Sequence, residues 1–102
     1  NLGTADGASA DPALERIASG ILAASTPFTS VVNGRFKGGW ITRRYGRPGA
    51  GVHALQLEMA QSAYMDEAPP YRWDAKRAAP LSTVLRRLVG ALAAWRPDRG
   101  AA

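Results

Sequence analysis

The sequence contains no cysteine and only one histidine, and these scarcities exclude several kinds of site. Without cysteine there is no disulfide framework and no thiolate metal ligand, which fits a reducing compartment. A catalytic zinc ion usually takes three protein ligands drawn from His, Cys, Asp and Glu. We therefore expect no self-sufficient zinc site in this chain, and we interpret His53 as a packed, hydrogen-bonded residue rather than a ligand.

Long apolar runs are also missing from the sequence. No run approaches the length that spans a bilayer, and residues 1–11 lack the basic and apolar regions of a signal peptide. These absences predict a soluble, cytoplasmic protein that does not bind a membrane. The sequence does not begin with Met and opens on a loop-like composition, so we expect it to be a piece of a longer protein.

The composition is that of a globular chain with an excess of positive charge. The 102 residues are 46% hydrophobic and 21% charged, which allows one domain with a modest core. Thirteen cations against eight acids give a formal charge of +5 and a pI near 10.5. Such a surplus favours anionic partners, among them nucleic acid, acidic lipid, phosphate and small carboxylates.

Hydrophobic periodicity and turn residues predict helices alternating with short strands. Asp11 followed by Pro12 is typical of a helix start, whereas residues 1–10 have a loop composition. The predicted elements, in order, are a helix at 12–24, a strand at 28–32, a short extended piece at 40–42, a turn at 48–51, a strand at 52–59, a short helix within 60–65, a linker at 66–73 and a long helix from 74 to 95. This order predicts an α/β fold with two or three strands.

Two of these elements have informative faces. Alternation along the strand at 52–59 places Gln56 and Glu58 on one face and Leu55 and Leu57 on the other. The long helix has an apolar stripe from which Arg86 and Arg87 are excluded. The stripe comprises Leu81, Val84, Leu85, Leu88, Val89, Leu92 and Trp95. We interpret Trp73 and Trp95 as packing residues.

Positive charge is concentrated in residues 33–47, NGRFKGGWITRRYGR, which we call the cationic segment. It contains four glycines and no acid, and its cations are Arg35, Lys37, Arg43, Arg44 and Arg47. Arginine offers a planar fork that matches carboxylate or phosphate, and glycines let a ligand approach the backbone N–H groups. The segment therefore predicts an anion-binding loop, with Asn33 and Thr42 as neutral partners. The alternative is a solvated surface loop.

The aromatic residues of the cationic segment, Phe36, Trp40 and Tyr45, also have two interpretations. Aromatic side chains between cations are typical of single-strand nucleic-acid platforms. They equally serve to anchor a loop onto the core, and we favour the anchor because no periodic stacking face is evident.

Glu58 is an isolated acid on a predicted strand that follows the cationic segment. A buried carboxylate is costly unless it is paired. One interpretation is a general acid or base, and the other is a structural ion pair with a nearby arginine. The residues alone leave both open.

The stretches NGRFKGGWITRRYGRP and GVHALQLEMAQSAYMDE resemble the C-terminal part of the N-formylglutamate deformylase (N-formylglutamate amidohydrolase) family. The flanking GTADGASADPAL and PPYRWDAKRAAPLSTVLRRL also resemble it, so the similarity covers nearly the whole chain. The resemblance implies a zinc-dependent hydrolase that converts N-formyl-L-glutamate to formate and L-glutamate in histidine degradation. It also implies the C-terminal part of a three-layer mixed-sheet fold similar to zinc carboxypeptidases (phosphorylase/hydrolase-like), with residues 1–102 as a single partial domain.

The resemblance also implies roles for individual residues. The substrate is a dianion, and the residues expected to bind it are Asn33, Arg35, Lys37, Thr42, Arg43 and Arg44. Glu58 resembles the carboxylate that takes a proton from metal-bound water and passes it to the leaving amine. Zinc ligands are expected upstream of this chain, so we expect the chain alone to be inactive.

One departure from the family pattern concerns Arg44, because the family usually reads ITRHYG where this sequence reads ITRRYG. Arginine does not titrate near neutral pH as histidine does. This departure keeps a degenerate, metal-free relative as one alternative. Another alternative is a stand-alone anion- or RNA-binding module without catalysis, although nucleic acid is not the partner we expect.

Overall fold

In the computed structural model, which describes residues 1–97, two helices pack beside a very short sheet. The elements in chain order are β1 (Leu2–Gly3), α1 (Pro12–Ala23), α2 (Trp40–Tyr45), a 3-10 helix at Pro48–Ala50, β2 (Gln56–Leu57), a 3-10 helix at Gln61–Ala63 and α3 (Ala75–Ala94). The mixed α/β composition predicted from the sequence is confirmed. The molecule is elongated, with principal extents of 55 × 26 × 18 Å.

The predicted helices α1 and α3 are confirmed, and each begins at an aspartate cap. The Asp11 carboxylate accepts a hydrogen bond from Ala13 N at 2.8 Å. The Asp74 carboxylate accepts from the N–H groups of Lys76 and Arg77 at 3.0 and 3.1 Å. These bonds satisfy amides that have no partner within the helix.

The core lies where α1 and α3 cover the sheet. Leu2, Ala18 and Leu88 form its buried centre. The apolar residues packed around this centre are Ile21, Leu22, Val32, Leu55, Leu57 and Leu92. The prediction that Val89 belongs to the apolar stripe is wrong, because its side chain is 64% exposed. One residue of helix corresponds to about 100° of rotation, which turns Val89 away from the side that buries Leu88.

The sheet is smaller than predicted and includes a strand that the sequence does not indicate. Strand β1 falls within residues 1–10, which were predicted to be loop, and pairs antiparallel with β2 through Leu2–Leu57 and Gly3–Gln56. Of the strand predicted at 28–32, only Val32 forms a bridge, which is parallel to Leu2. The strand predicted at 52–59 is limited to β2. Both predictions were too long because β1 offers only two residues for pairing.

The prediction of an extended piece at 40–42 is wrong, because these residues begin α2. Hydrogen bonds from Arg43 N to Gly39 O and from Gly46 N to Thr42 O, both 3.1 Å long, close its turns. The β-branched residues Ile41 and Thr42 have a modest helix propensity, so tertiary contacts at Gly39 outweigh it here. The turn at 48–51 and the short helical piece within 60–65 are confirmed as the two 3-10 helices.

Of the two tryptophans predicted to be packing residues, Trp73 and Trp95, one lies on the surface. Trp73 is 66% exposed and touches Tyr64 at a ring separation of 6.0 Å, so it is not a core residue. Trp95 packs edge-to-face against His53, with 5.1 Å between the ring centroids, so the prediction that it is a packing residue is confirmed. Among residues 1–97, no helix has both the length and the apolar character needed to cross a bilayer.

Candidate functional site

The middle of the cationic segment forms the wall of an open depression of about 350 Å³, which we call the cation pocket. Its lining residues are Arg35, Phe36, Lys37, Gly38, Gly39, Arg43 and Gln56. Three of the predicted anion-binding residues, Arg35, Lys37 and Arg43, are thus brought to one place. The two glycines bring the backbone to the edge of the depression, and the N–H of Gly39 donates to Gln56 Oε1.

Helix α2 positions Arg43 at the pocket. Arg43 Nε donates to Gly38 O at 3.2 Å, which leaves the two terminal nitrogens of its guanidinium free of that bond. Gly38 has φ of +121°, and a Cβ there would lie 2.9 Å from Thr42 Cγ2. Glycine is therefore required for this bend, and the buried Thr42 packs behind it rather than in the pocket.

Arg44 does not line the cation pocket, since its guanidinium extends along the exposed face of α2 over the Tyr45 ring at 5.8 Å. Trp40 and Tyr45 are 68% and 55% exposed, and Phe36 is also exposed. The interpretation that these aromatics anchor the loop onto the core is therefore wrong. Trp40 and Tyr45 instead contact each other edge-to-face at 5.9 Å.

Asn33 lies outside the cation pocket and fixes the backbone beside it. Its Oδ1 accepts from Thr4 N at 2.8 Å and from Asp6 N at 3.4 Å. Its Nδ2 donates to the buried Thr4 hydroxyl at 2.8 Å, and that hydroxyl donates to a Glu15 carboxylate oxygen at 2.6 Å. The amide thus holds residues 4–6, a stretch that includes Ala5 and Asp6 at positive φ of 51° and 54°.

Asp6 brings a negative charge to the cationic segment. Its carboxylate lies 3.2 Å from Lys37 Nζ, and both side chains are at least half exposed. A second depression, of about 370 Å³, is lined by Asp6, Ser9, Lys37 and Arg43 among others. Lys37 and Arg43 therefore form a wall shared by two depressions.

Glu58 is exposed and lies next to the cation pocket without lining it. Gln56 Nε2 donates to Glu58 Oε2 at 3.4 Å, and Gln56 Oε1 accepts from Gly39 N at 2.8 Å. Glu58 lines a larger, half-open depression of about 410 Å³ with Leu57, Met59 and parts of α3. Within residues 1–97 the ion pairs are Lys37–Asp6 and Arg77–Asp74, so Glu58 does not form the structural ion pair considered for it.

His53 is a packing residue, as predicted. Its Nδ1 accepts a hydrogen bond from Asp11 N at 3.0 Å, and its ring rests on Trp95. In the described part of the chain, no three His, Cys, Asp or Glu side chains come close enough to hold a metal ion. These residues therefore do not fit the zinc ion that the resemblance implies.

Gln56 and Asp6 are the site residues that sequence reasoning missed. A signal existed for Gln56, because alternation places it on the Glu58 face of β2 and next to that acid in space. No local pattern indicates Asp6, because it meets Lys37 through a contact between residues 31 positions apart.

The sequence is similar to one family of known proteins. A model of the N-formylglutamate amidohydrolase family matches residues 1–65. Proteins named N-formylglutamate deformylase from Pseudomonas putida and Pseudomonas aeruginosa (strain PAO1) are each 50% identical over 99 residues, or 97% of this chain. The chain spans 37% of the length of each of these curated relatives. No solved structure matches it significantly.

Proposed function

The chain belongs to the N-formylglutamate amidohydrolase family, and from this premise we propose that it supplies the substrate-binding surface and the acid–base carboxylate of an enzyme that hydrolyses N-formyl-L-glutamate. The products are formate and L-glutamate, and the reaction belongs to histidine degradation. One observation carries the proposal: Arg35, Lys37 and Arg43 surround a single pocket that Gln56 connects to Glu58.

The cation pocket suits a small molecule with two carboxylates. Arginine binds a carboxylate through two parallel N–H bonds, and lysine adds a compact positive charge. Arg35, Lys37 and Arg43 are the direct ligands in this proposal. Asn33 and Thr42 act by holding the pocket wall, and Arg44 adds positive potential from the neighbouring face of α2.

Glu58 is the acid–base residue of the proposal. Its carboxylate accepts a proton from the water that attacks the formyl carbon, and then delivers a proton to the nitrogen as the C–N bond breaks. Exposure of Glu58 at the edge of a half-open depression leaves room for a water molecule and the formyl group.

The wider context of the chain is also a proposal. We place residues 1–102 in the C-terminal part of a three-layer mixed-sheet domain, in which further segments extend the two-residue strands. The zinc ion implied by the family resemblance would bind side chains outside residues 1–97. No step above is assigned to it. The chain alone is accordingly expected to release no formate.

A graft tests the proposal. The 99 matched residues of the Pseudomonas putida relative are replaced by this chain, and formate release from N-formyl-L-glutamate is measured. We expect activity in the graft and a loss of about 100-fold or more in kcat for Glu58→Gln, the usual contribution of a general acid–base group. Arg43→Met is expected to raise KM about 10-fold through the loss of a charge-assisted contact.

Matched controls separate chemistry from folding. Glu67→Gln makes the same change at an exposed acid and keeps an acceptor for Ser62 N. Arg86→Met removes an exposed cation from α3. Both controls should leave kcat and KM within about 2-fold. A graft that folds, as judged by its thermal transition, and yet releases no formate would contradict the proposed function.

A further inference from the structure

Gln56 makes two side-chain hydrogen bonds that lead in opposite directions. Its carbonyl oxygen accepts the N–H of Gly39, the residue before α2, at 2.8 Å. Its amide nitrogen donates to the Glu58 carboxylate at 3.4 Å. One side chain therefore connects the backbone of the cation pocket to the carboxylate that borders the larger depression.

Strand β1, which pairs with the strand that carries Gln56, lies tightly against the cationic segment. Gln56 pairs with Gly3, and a Cβ on Gly3 would lie 2.8 Å from the Lys37 carbonyl carbon. Glu58 is fixed to the same strand end, because its N–H donates to Asn1 O at 2.9 Å and its carbonyl oxygen accepts from the Asn1 amino group at 2.8 Å. The backbones of the three segments thus lie close together. The Asn1 side chain joins the start of the chain to the cationic segment, since its Oδ1 accepts from Phe36 N at 3.4 Å and its Nδ2 donates to Phe36 O. Gln56 joins the cationic segment to the Glu58 carboxylate.

The orientation of the Glu58 carboxylate has no other support within residues 1–97. Its side chain is exposed and has no hydrogen-bonded partner besides Gln56. An exposed glutamate otherwise samples many rotamers, which costs conformational entropy when one orientation is required. A catalytic group has to be held near its productive geometry by a neighbouring residue.

We propose that Gln56 is a positioning residue, which orients Glu58 with respect to the anion bound in the cation pocket. The inference deepens the proposed function and rests on it. Glutamine suits this role because its amide carries an acceptor and a donor together. Anion binding in the cation pocket, which Gly39 lines, and the orientation of Glu58 are then coupled through one side chain.

Three substitutions in the 102-residue chain separate the two bonds. Gln56→Ala removes both bonds. Gln56→Glu keeps an acceptor for Gly39 N, but it loses the donor and places a like charge beside Glu58. Gln61→Ala is the matched control, because Gln61 is exposed on a 3-10 helix outside the pocket lining.

The first measurement needs no ligand. Amide hydrogen exchange at Gly39 should accelerate at least several-fold in Gln56→Ala, and stay near the native rate in Gln56→Glu and Gln61→Ala. Equal exchange in Gln56→Ala and the native chain would overturn the proposal, whatever the outcome of the activity experiment.

The second measurement uses N-formyl-L-glutamate as the probe and the carbon-13 signal of the Glu58 carboxyl as the readout. In the native chain and Gln61→Ala, the probe should shift both the Gly39 amide signal and the Glu58 signal. In Gln56→Ala, the Gly39 response should remain and the Glu58 response should be lost. A Glu58 response that survives in Gln56→Ala overturns the coupling. Failure of the probe to bind the native chain counts against the proposed function instead, and Gly39 exchange then decides the role of Gln56.

Discussion

The Lys37 ammonium lies 3.2 Å from the Asp6 carboxylate, and the same lysine lines the cation pocket. An internal carboxylate thus contacts a cation that we propose binds a substrate carboxylate. Asp6 is held there because Asn33 Oδ1 accepts from the N–H groups of Thr4 and Asp6. In the proposed site, Asn33 therefore influences anion binding by placing a competing acid.

Removing this acid should strengthen the binding of dicarboxylates. Asp6→Asn deletes one negative charge beside Lys37, and exposed ion pairs of this kind contribute up to about 1 kcal/mol. We expect N-formyl-L-glutamate to bind the 102-residue chain about two- to five-fold more tightly, as measured by calorimetry at low salt. Asp66→Asn makes the same change at a turn and retains an acceptor for Ala68 N. If the two substitutions changed the affinity for N-formyl-L-glutamate equally, the affinity would depend on the net charge of the chain and not on the contact between Asp6 and Lys37.

The contact of Gly3 with the cationic segment predicts a steric effect. In Gly3→Ala the new methyl group would lie 2.8 Å from the Lys37 carbonyl carbon and 3.0 Å from Gly38 N. The segment must shift, at a cost of about 1–3 kcal/mol in the free energy of unfolding. A urea titration measures this cost.

Gly49→Ala is the matched control for Gly3→Ala, because a Cβ at Gly49 meets no atom within 4 Å. It should change the unfolding free energy by less than about 0.5 kcal/mol. Comparable losses in the two variants would refute the close approach of β1 to the cationic segment.

The buried Thr4 hydroxyl should be important for stability. It donates to Glu15 and accepts from Asn33 Nδ2 and Gly7 N. Thr4→Val preserves shape but leaves these partners unsatisfied, which should lower the unfolding free energy by about 1–3 kcal/mol. Thr83→Val, at an exposed threonine of α3, should have an effect below about 0.5 kcal/mol. A thermal melt in which both variants match the native chain would contradict the network.

Much of the helical structure can be predicted from the sequence, whereas in the sheet only β2 lies within a predicted strand. Asp11 and Asp74 are local capping signals, and apolar spacing identifies α1 and α3. Strand β1 has no local signal, because Leu2 becomes a strand residue only through contacts with Val32 and Leu57. Helix α2 is similar, since the Gly39 N–H donates its hydrogen bond to Gln56 Oε1, seventeen positions away.

The candidate site shows the same division between local and long-range information. A cluster of cations among glycines is visible in the sequence and predicts an anion site. The sequence does not reveal that Arg44 turns away from the cation pocket while Arg43 lines it, because neighbouring helical residues differ by about 100° in direction. Nor does it reveal Asp6, whose approach to Lys37 depends on the turn held by Asn33.

Salt dependence distinguishes the proposed ligand from nucleic acid. The exposed Trp40 and Tyr45, with Arg44 beside them, are the features that a single-stranded polynucleotide would use. Phosphate-backbone binding weakens steeply with ionic strength. We expect the affinity of the chain for single-stranded RNA to fall about 300-fold between about 50 and 200 mM salt if roughly six phosphates are contacted. Tight RNA binding that persists at the higher salt concentration would favour a nucleic-acid module.

A nitrogen-15 chemical-shift map of the 102-residue chain, recorded as N-formyl-L-glutamate is added, tests most directly whether the cation pocket binds a dicarboxylate. We expect saturable shifts concentrated at residues 35–43 and 56–58, which Arg43→Met weakens and Arg86→Met leaves unchanged. Shifts spread over the exposed cations of α3 as well, with equal effects of the two substitutions, would contradict a dicarboxylate site in the cation pocket.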